Sequence, residues 1–525
     1  MSLISDKNLT MNTNTPSTSG AHFPFWLEEV SFPATDTLKS DIDTDVLIIG
    51  GGIAGLTTAY FLTKSGRKVT VIESRELAGG ESGRTTAHLT AGLDDRYYYL
   101  RNIFGEEATK LAAESHIWAV SAIESIAQTE GIDCHFRRVS GYLFLHPSDK
   151  PDSLHKEFEA SQAAGINTIL RDEVPGFKES LQSLEFPEQG QFHIGRYLSG
   201  VANAVLKNGG QIFTNTHADD IDKTGANANG FRINAQHIVV ATNTPVNNIV
   251  TMHTKQHPYR TYVIGAKIRK GTLPYALWWD TGDMDSKWTM EPYHYVRLEP
   301  MDDEFDLLIA GGEDHKTGQA DAEEIPETER YARLEAWARQ YFPDMGVVSY
   351  RWSGQCMEPV DSLGYMGKNP GDDNIYIITG DSGNGMTHTT IGAKIIHDLI
   401  SGIDHPWASL YDPSRVTVRT ADDFVSEGAN MAKQYLDWVL PGDLKSADDL
   451  QAGQGGILTS GLSKKAVYRD ESGVVHEFSA VCPHLGCIVQ WNPDEKSFDC
   501  PCHGSRFTCQ GKVVNGPAIS DLKKL

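Results

Sequence analysis

The 525-residue sequence contains no apolar run approaching the ~18–20 residues that cross a bilayer, and its mean hydropathy is −0.35, so a membrane-spanning protein is excluded. Residues 1–20 are rich in Ser, Thr and Asn and lack both an apolar core and a twin-arginine pair. This predicts a cytoplasmic protein with a disordered lead-in over residues 1–22. Positive charge is scarce, with Lys+Arg 46 against Asp+Glu 70 and a net charge of −24. A polyanion repels phosphate backbones and anionic lipid, which disfavours nucleic-acid and membrane-surface binding. The deficit is uneven: Pro441 to Leu525 holds 9 basic and 10 acidic residues, so nearly all of it lies in the first 440. Cysteine is also sparse. Five of the 7, Cys482, Cys487, Cys500, Cys502 and Cys509, nevertheless fall within 28 residues. In a reduced compartment such crowding points to metal binding.

The chain exceeds one compact domain, and two to four of roughly 100–200 residues are expected. No internal repeat is present. Phe23-Pro24-Phe25-Trp26 reads as an aromatic segment packed on the body. Buried strands are predicted at 45–49, 68–73, 238–242, 307–310 (ending at Gly311-Gly312) and 374–379, with further strands at 141–145 and 262–268. Helical patterns cover 104–129 and 327–340. Strands and helices interleave, which predicts an α/β class. Residues 421–440 form an amphipathic helix ended by Pro441-Gly442, read as part of a linker (416–440) docked on the larger domain. Beyond it short strands and turns dominate, so a boundary is placed at 441.

Two motifs carry chemistry. The first is Gly50-Gly51-Gly52-Ile53-Ala54-Gly55, which follows a strand, opens a helix and is answered by Glu73 at the end of the next strand. A lone GxGxxG is weak, but this context is that of a dinucleotide site. Gly50 permits the tight turn, Gly52 lets a pyrophosphate approach the backbone, and Gly55 lets the helix pack on the strand. The helix N-terminus offers N–H groups to phosphate, and Glu73 would accept ribose hydroxyls. No second such fingerprint with a downstream acid occurs at Gly265, Gly311-Gly312 or Gly380–Gly385, which disfavours a nicotinamide donor.

From Trp26 to Arg415 the chain resembles the FAD-dependent amine and amino-acid oxidoreductases of the D-amino-acid oxidase/glycine oxidase type. The resemblance rests on the fingerprint, Glu73, the stretch Gly80 to Thr86, the strand ending Ala241-Thr242, and Gly380 to Met386. It implies a Rossmann-like FAD-binding domain (about 43–90, 190–250 and 350–405) with an inserted mixed-sheet substrate domain (about 91–189 and 251–349), together spanning 23–415. It also implies FAD contacts at Gly50, Gly52, Ile53, Ala54, Gly55, Glu73, Ser74, Arg84, Thr85, Thr86, Ala241, Thr242, Gly380, Gly383, Gly385 and Met386. Dimethylglycine-dehydrogenase-like members carry covalent flavin on a His in a context similar to Thr86–Leu93. This chain has one residue too many there, so hydrogen bonding or packing is expected of His88. Catalytic residues are not assigned. Candidates for the substrate pocket are His88, Tyr293, His294, His315 and His388, with Trp278, Trp279 and Arg297; each is expected more often in a structural role.

The second motif is Cys482-x-His484 and, after fifteen residues, Cys500-x-x-His503, which is Rieske spacing. Two thiolates, Cys482 and Cys500, would hold one iron of a [2Fe-2S] cluster, and His484 and His503 the other. A Cys2His2 zinc site has a ligand set that fits, but it leaves the extra cysteines and the Gly-Ser after His503 unexplained. Haem attachment needs Cys-x-x-Cys-His, which is absent. From Gly455 to Leu525 the chain resembles Rieske proteins of the cytochrome bc type, an all-β domain expected over 441–525. That resemblance implies a Cys487–Cys502 disulfide clamping the cluster loops. Those proteins usually have a Tyr two residues after the Ser, where this chain has Phe507. Ser505 can still donate to the cluster, Phe507 cannot, and a lowered potential is expected. Cys509 reads as a bystander.

A flavin takes electrons in pairs and a Rieske cluster singly. The expected function is therefore dehydrogenation of a small amine or amino acid at a C–N bond, with single electrons leaving through the exposed histidine edge of the cluster. A one-electron acceptor protein or a quinone would collect them. The alternatives are an oxidase using O2 directly and an electron-transfer component with no small substrate.

Overall fold

The computed structural model describes residues 18–247, 252–286, 292–320, 325–417, 421–461 and 463–525. Its first layer is a mainly parallel sheet in the order Tyr365–Lys368, Ile375–Thr379, Phe231–Val240, Ile42–Ile49, Val69–Ile72 and Gln211–Phe213. Only the edge strand Tyr365–Lys368 runs antiparallel to its neighbour on this path. Ile48, Val71, Val239 and Ile377 have no exposed surface, as strands covered on both faces require. Helices Ile53–Lys64, Glu106–Glu130, Ile194–Lys207 and Gly385–Ser401 contribute to the same core. Each fully buried aliphatic side chain there contributes roughly 1.5–3 kcal/mol. Trp26 is wholly buried and donates its indole N–H to Thr85 O at 2.6 Å, while Phe23 stays 42% exposed.

The second layer is a nine-stranded mixed sheet, one side of which is antiparallel, in the order Val348–Pro359, Gln256–Arg269, Phe305–Lys316 and Tyr295–Pro300. Two boundaries differ from expectation. His88–Leu89 pairs with Ser183–Gln191 in this sheet, and Val348–Pro359 is its far edge, because both find their backbone partners there. The strand expected to stop at Gly311-Gly312 continues to Lys316. Gly311 lies under the Tyr295 ring, where a Cβ would come within 2.3 Å of it, so the glycine serves close packing within the strand.

Residues 455–515 form two small antiparallel sheets, of three and four strands, around Phe478, Val489, Phe498 and Phe507. The predicted lead-in divides. Residues 1–17 lie outside the described residues, but Thr18 and Ser19 are buried at 1% exposure and lie between the two domains. Ser19 N donates to Gly79 O, and Ser19 O accepts from Arg506. The predicted 421–440 helix runs from Ala421 to Gln434 and tightens into a short 3-10 turn, Tyr435–Trp438; residues 418–420 lie outside the described residues. It docks chiefly on the C-terminal domain, contrary to expectation: Tyr435 Oη donates to Leu485 O, Trp438 Nε1 to Gly486 O, and Met431 packs on that core. These contacts are largely polar, for Leu436 and Val439 stay 52% and 81% exposed.

Candidate functional site

The sheet ends and the loops beyond them enclose a cavity of about 700 Å3. Gly50, Gly52, Ile53, Ala54, Glu73, Ser74, Arg84, Thr85, Thr86, Ala241, Thr242, Gly380, Gly383, Gly385 and Met386 all line it. Gly55 does not. A Cβ there would lie 1.9 Å from Gly50 O, so it sets helix–strand contact. Gly50 has φ +116°, and a Cβ would reach Ala241 O at 2.3 Å, leaving room only for glycine. Glu73 receives the Gly51 and Arg75 N–H groups at 2.7 and 2.9 Å, which fixes its carboxylate on the cavity wall. The first turn of the helix Ile53–Lys64 faces the same space with glycine at its N-cap, a cradle that fits a pyrophosphate. These features fit FAD. Arg84 departs from its expected role. It touches the cavity, but its guanidinium is held by Ser353 O, His22 O and Glu495 at the domain interface.

The other end of the cavity is acidic, which the sequence reading missed. Asp94, Asp314, Glu358 and Asp381 line it. Tyr293 donates its hydroxyl to Asp94 Oδ2 in a short hydrogen bond. Ser382, at φ +42°, places its Oγ 2.7 Å from Asp95 Oδ2 and 2.9 Å from Glu358 Oε2, bridging the two with its one hydroxyl. A non-glycine residue held there is strained, and such strain collects at functional loops. Burial pushes Asp94 and Asp314 up to about 7 and Asp381 to about 6; burial, with Asp95 and Asp94 alongside, raises Glu358 well above its usual range.

The candidate side chains separate cleanly. His88, Tyr293, His388 and Trp279 line the cavity. His88 has Nδ1 paired with Thr86 Oγ1 at 3.0 Å and Nε2 with Val296 O at 3.1 Å, and burial holds it at about 3, so it is neutral. His388 pairs Nδ1 with Asp381 O and is lowered by burial to about 4, with Nε2 unpartnered. Trp278, one residue along its strand, points away and donates to Pro175 O. His294, His315 and Arg297 do not line the cavity. His294 stacks on Trp337; burial opposes its charge, but hydrogen bonds with Asp280 and Glu313 prevail and raise it to about 9. His315 bonds Tyr262 Oη and Lys316 O. Arg297 is spent on Glu299 and on the Ala87 and Phe192 carbonyls.

In the C-terminal domain two loops of like geometry face each other. Cys482 N donates to Cys487 O and Cys500 N to Ser505 O, both at 2.8 Å. Cys487 and Cys502 form a disulfide. The Cys500 sulfur lies within 4.8 Å of both, but those two are spent on each other, so the thiols free for metal are Cys482 and Cys500. These share a hydrogen bond with each other and, through Cys482, with Ser505. The His484 and His503 rings lie 4.9 Å apart. Two adjacent thiols and two adjacent imidazoles, clamped by a disulfide, fit a [2Fe-2S] cluster. Cys509 faces Tyr468, away from this set.

The histidine edge was expected to be exposed. It faces inward instead: His503 is 3% exposed, and the His484 and His503 rings lie 4.9 and 5.9 Å from that of His253 in the larger domain. The reason is a buried lattice of guanidinium and carboxylate groups that seats one domain on the other. Glu495 meets Arg84 at 3.4 Å and Arg260 and Arg506 at 3.9 Å, and Asp499 meets Arg506 at 3.1 Å. Gln355 spans the junction. It lines the dinucleotide cavity and donates Nε2–H to Gly504 O at 3.1 Å, while its own Oε1 accepts from Thr317. Gly504, at φ +76°, has Pro258 and Gln355 within 3 Å of any added Cβ. The C-terminal stretch Lys512–Asp521 also walls the cavity, with Val514 O accepting from Arg75 and Ile519 O meeting His217.

Comparison with known proteins agrees with both halves. The model of the family "FAD dependent oxidoreductase" matches residues 45–399, and that of the "Rieske [2Fe-2S] domain" matches 442–525. A Bacillus subtilis protein named as a Rieske 2Fe-2S iron-sulfur protein, YhfW, is 31% identical over 510 residues, covering 95% of this chain and 97% of its own. Gamma-glutamylputrescine oxidoreductase of Escherichia coli is 25% identical over 387 residues, covering 70% of this chain and 86% of its own. Glycine oxidase from Geobacillus kaustophilus superposes with a TM-score of 0.58 at 16% identity, covering 71% of this chain and 99% of its own, a likeness of fold.

Proposed function

Because the chain belongs to the FAD-dependent oxidoreductase family and carries a Rieske [2Fe-2S] domain, we propose that it dehydrogenates a small amine or amino acid and passes the electrons singly through the Rieske domain to an external acceptor. The substrate carbon–nitrogen bond becomes an imine with loss of two electrons and two protons, and two equivalents of a one-electron acceptor collect the electrons. When bound, FAD takes electrons as a pair and the cluster takes them singly, so the chain couples the two stoichiometries.

The observation that carries this reading is the Gln355 bridge. One side chain touches both the dinucleotide cavity and the carbonyl beside ligand His503. The chain's own groups do the rest. Glu73, Gly50 and the helix N-terminus would hold the dinucleotide, and Cys482, Cys500, His484 and His503 the cluster. The acidic wall would orient the amine, and its ionised carboxylates would take the proton. Burial raises Asp94 to about 7, so at neutral pH a large fraction of it is free to accept, whereas Glu358, raised further, would ionise only as a cation arrives beside it. The histidine edge faces the flavin side, so we assign it to receiving electrons; exit then runs through the opposite side of the domain.

Anaerobic titration of the loaded protein with amines and amino acids tests this, following flavin absorbance and the reduced-cluster EPR signal together. Both should change with one substrate. In Gln355→Leu the flavin should bleach at the normal rate while the cluster follows at least tenfold more slowly. Flavin bleaching with a cluster that never reduces would favour an oxidase; reduction only by a protein donor would favour an electron-transfer component.

A further inference from the structure

The dinucleotide cavity continues into a second chamber of about 210 Å3 that shares Asp94, Tyr293 and Glu358 with it and adds Asp95 and Asp149. Carboxylates therefore occur on the walls of both. Among them Asp314 is 4% exposed, and its Oδ1 has no hydrogen-bond partner. An unmatched buried carboxylate oxygen costs free energy unless a cation or a proton meets it.

The nearby cations have their hydrogen-bond partners elsewhere, and act on these groups only through space, Arg96 on Asp94 and His294 and Arg330 on Asp314. Arg297 is paired with Glu299, and Arg84 with Glu495. Arg75 donates to Val514 O and Lys512 to Asp521. Arg96, on the wall of the second chamber, donates Nη1 to Leu93 O and Nη2 to Asp280 O. Among the described residues, no lysine or arginine side chain that lines the acidic end is paired with a carboxylate there. An α-amino acid needs a guanidinium or equivalent donors for its carboxylate. An ammonium group needs the reverse.

We infer that this site selects a small cationic amine with no carboxylate beside the reacting nitrogen, held by Asp94, Asp314 and Glu358. The inference deepens the dehydrogenase reading and rests on the cavity being the substrate site. The raised affinity of these carboxyls for protons is what an acidic wall awaiting a cation should show. The strained Ser382, tying Asp95 to Glu358, keeps two acids close that would otherwise repel.

Calorimetry on the flavin-loaded protein tests it with two redox-inert probes, butyltrimethylammonium and butanoate (with hexanoate as the anion matched in size), alongside turnover of butylamine, 1,4-diaminobutane, glycine and D-alanine. The cation should bind at least tenfold more tightly than the anion, and Glu358→Gln should remove most of that preference. Asp314→Asn should reduce it in the same direction, which guards against one variant failing to fold, and Arg96→Met, which removes a cation near Asp94, should keep or strengthen it. Tighter binding of butanoate or glycine, lost in Arg96→Met, would overturn the inference and make Arg96 a carboxylate clamp. Turnover of glycine or D-alanine without cation binding overturns it too, while leaving the dehydrogenase reading intact. Cation binding with no amine able to bleach the flavin supports the site and overturns that reading instead.

Discussion

Two regions of this protein bury several carboxylates each, and they resolve the cost in opposite ways. At the domain interface Glu495 and Asp499 sit among Arg84, Arg260 and Arg506, all at most 1% exposed. Burial alone would raise the Glu495 carboxyl, but the three guanidinium groups outweigh it and hold it below the usual range. In the cavity, no guanidinium among the described residues pairs directly with Asp94, Asp314 or Glu358; Arg96, His294 and Arg330 act on two of them only through space, burial prevails, and all three are pushed upward. The difference teaches which charges are structural. A carboxylate matched by fixed cations holds two domains in register; one left unmatched inside a cavity is available to a ligand.

The largest expected effect comes from breaking the interface. Glu495→Gln leaves the buried Arg84 without a carboxylate, and Arg260 and Arg506 with Asp499 alone, and should cost about 3–5 kcal/mol. A lowered thermal midpoint would show it, together with slower cluster reduction as the domains lose register. An unchanged midpoint would mean that the lattice is not what seats them.

Next in size is the opposite pH behaviour of the two regions. Asp314 binds its proton more tightly in the folded protein, at about 7 against an unfolded value of 3.8, so the folded state holds the extra proton between those values. Its contribution is therefore favourable below about 4 and is lost as pH rises through 7. Glu495 has its folded pKa depressed, so its contribution is present above its unfolded value of 4.5 and is lost as pH falls below it. Thermal midpoints from pH 4 to 8 should accordingly rise in Asp314→Asn relative to the parent at the alkaline end, by an amount worth on the order of 2–4 kcal/mol, and converge only near pH 4, the unfolded value. Equal midpoints at pH 8 would show that the cavity already neutralises this group.

The smallest effect lies beside neither set of acids and checks that the cluster is tuned by its own donors. Phe507 is wholly buried in the strand Arg506–Thr508 next to the cluster loop. Phe507→Tyr should add one hydrogen bond of ~1 kcal/mol, which raises a one-electron potential by about 40 mV. Redox titration followed by EPR would read it. No change would place the hydroxyl out of reach of the ligand sulfur.

The dinucleotide cradle and the cluster ligands were readable because each is written in short, local spacing. Gly50 to Gly55 and Glu73 belong to one strand–helix–strand unit, and the paired Cys/His boxes are each closed by loop hydrogen bonds a few residues long. The acidic wall was not readable. Asp94, Asp314, Glu358 and Asp381 come from four separate stretches, and an isolated acid in a sequence is a surface residue by default. Arg84 shows the same limit within a correctly located motif, since its neighbours line the cavity while its guanidinium serves a carboxylate 411 residues away.

The sequence by itself determined which backbone turns can cradle a dinucleotide and which four side chains can ligate two irons, since local geometry and ligand chemistry suffice for both. The direction in which the cluster faces was decided only in the tertiary structure. Buried charges must find partners, and here two of the three guanidinium partners of Glu495, Arg84 and Arg260, lie on another domain; satisfying them turns His484 and His503 toward His253 and leaves Gln355 as the bridge.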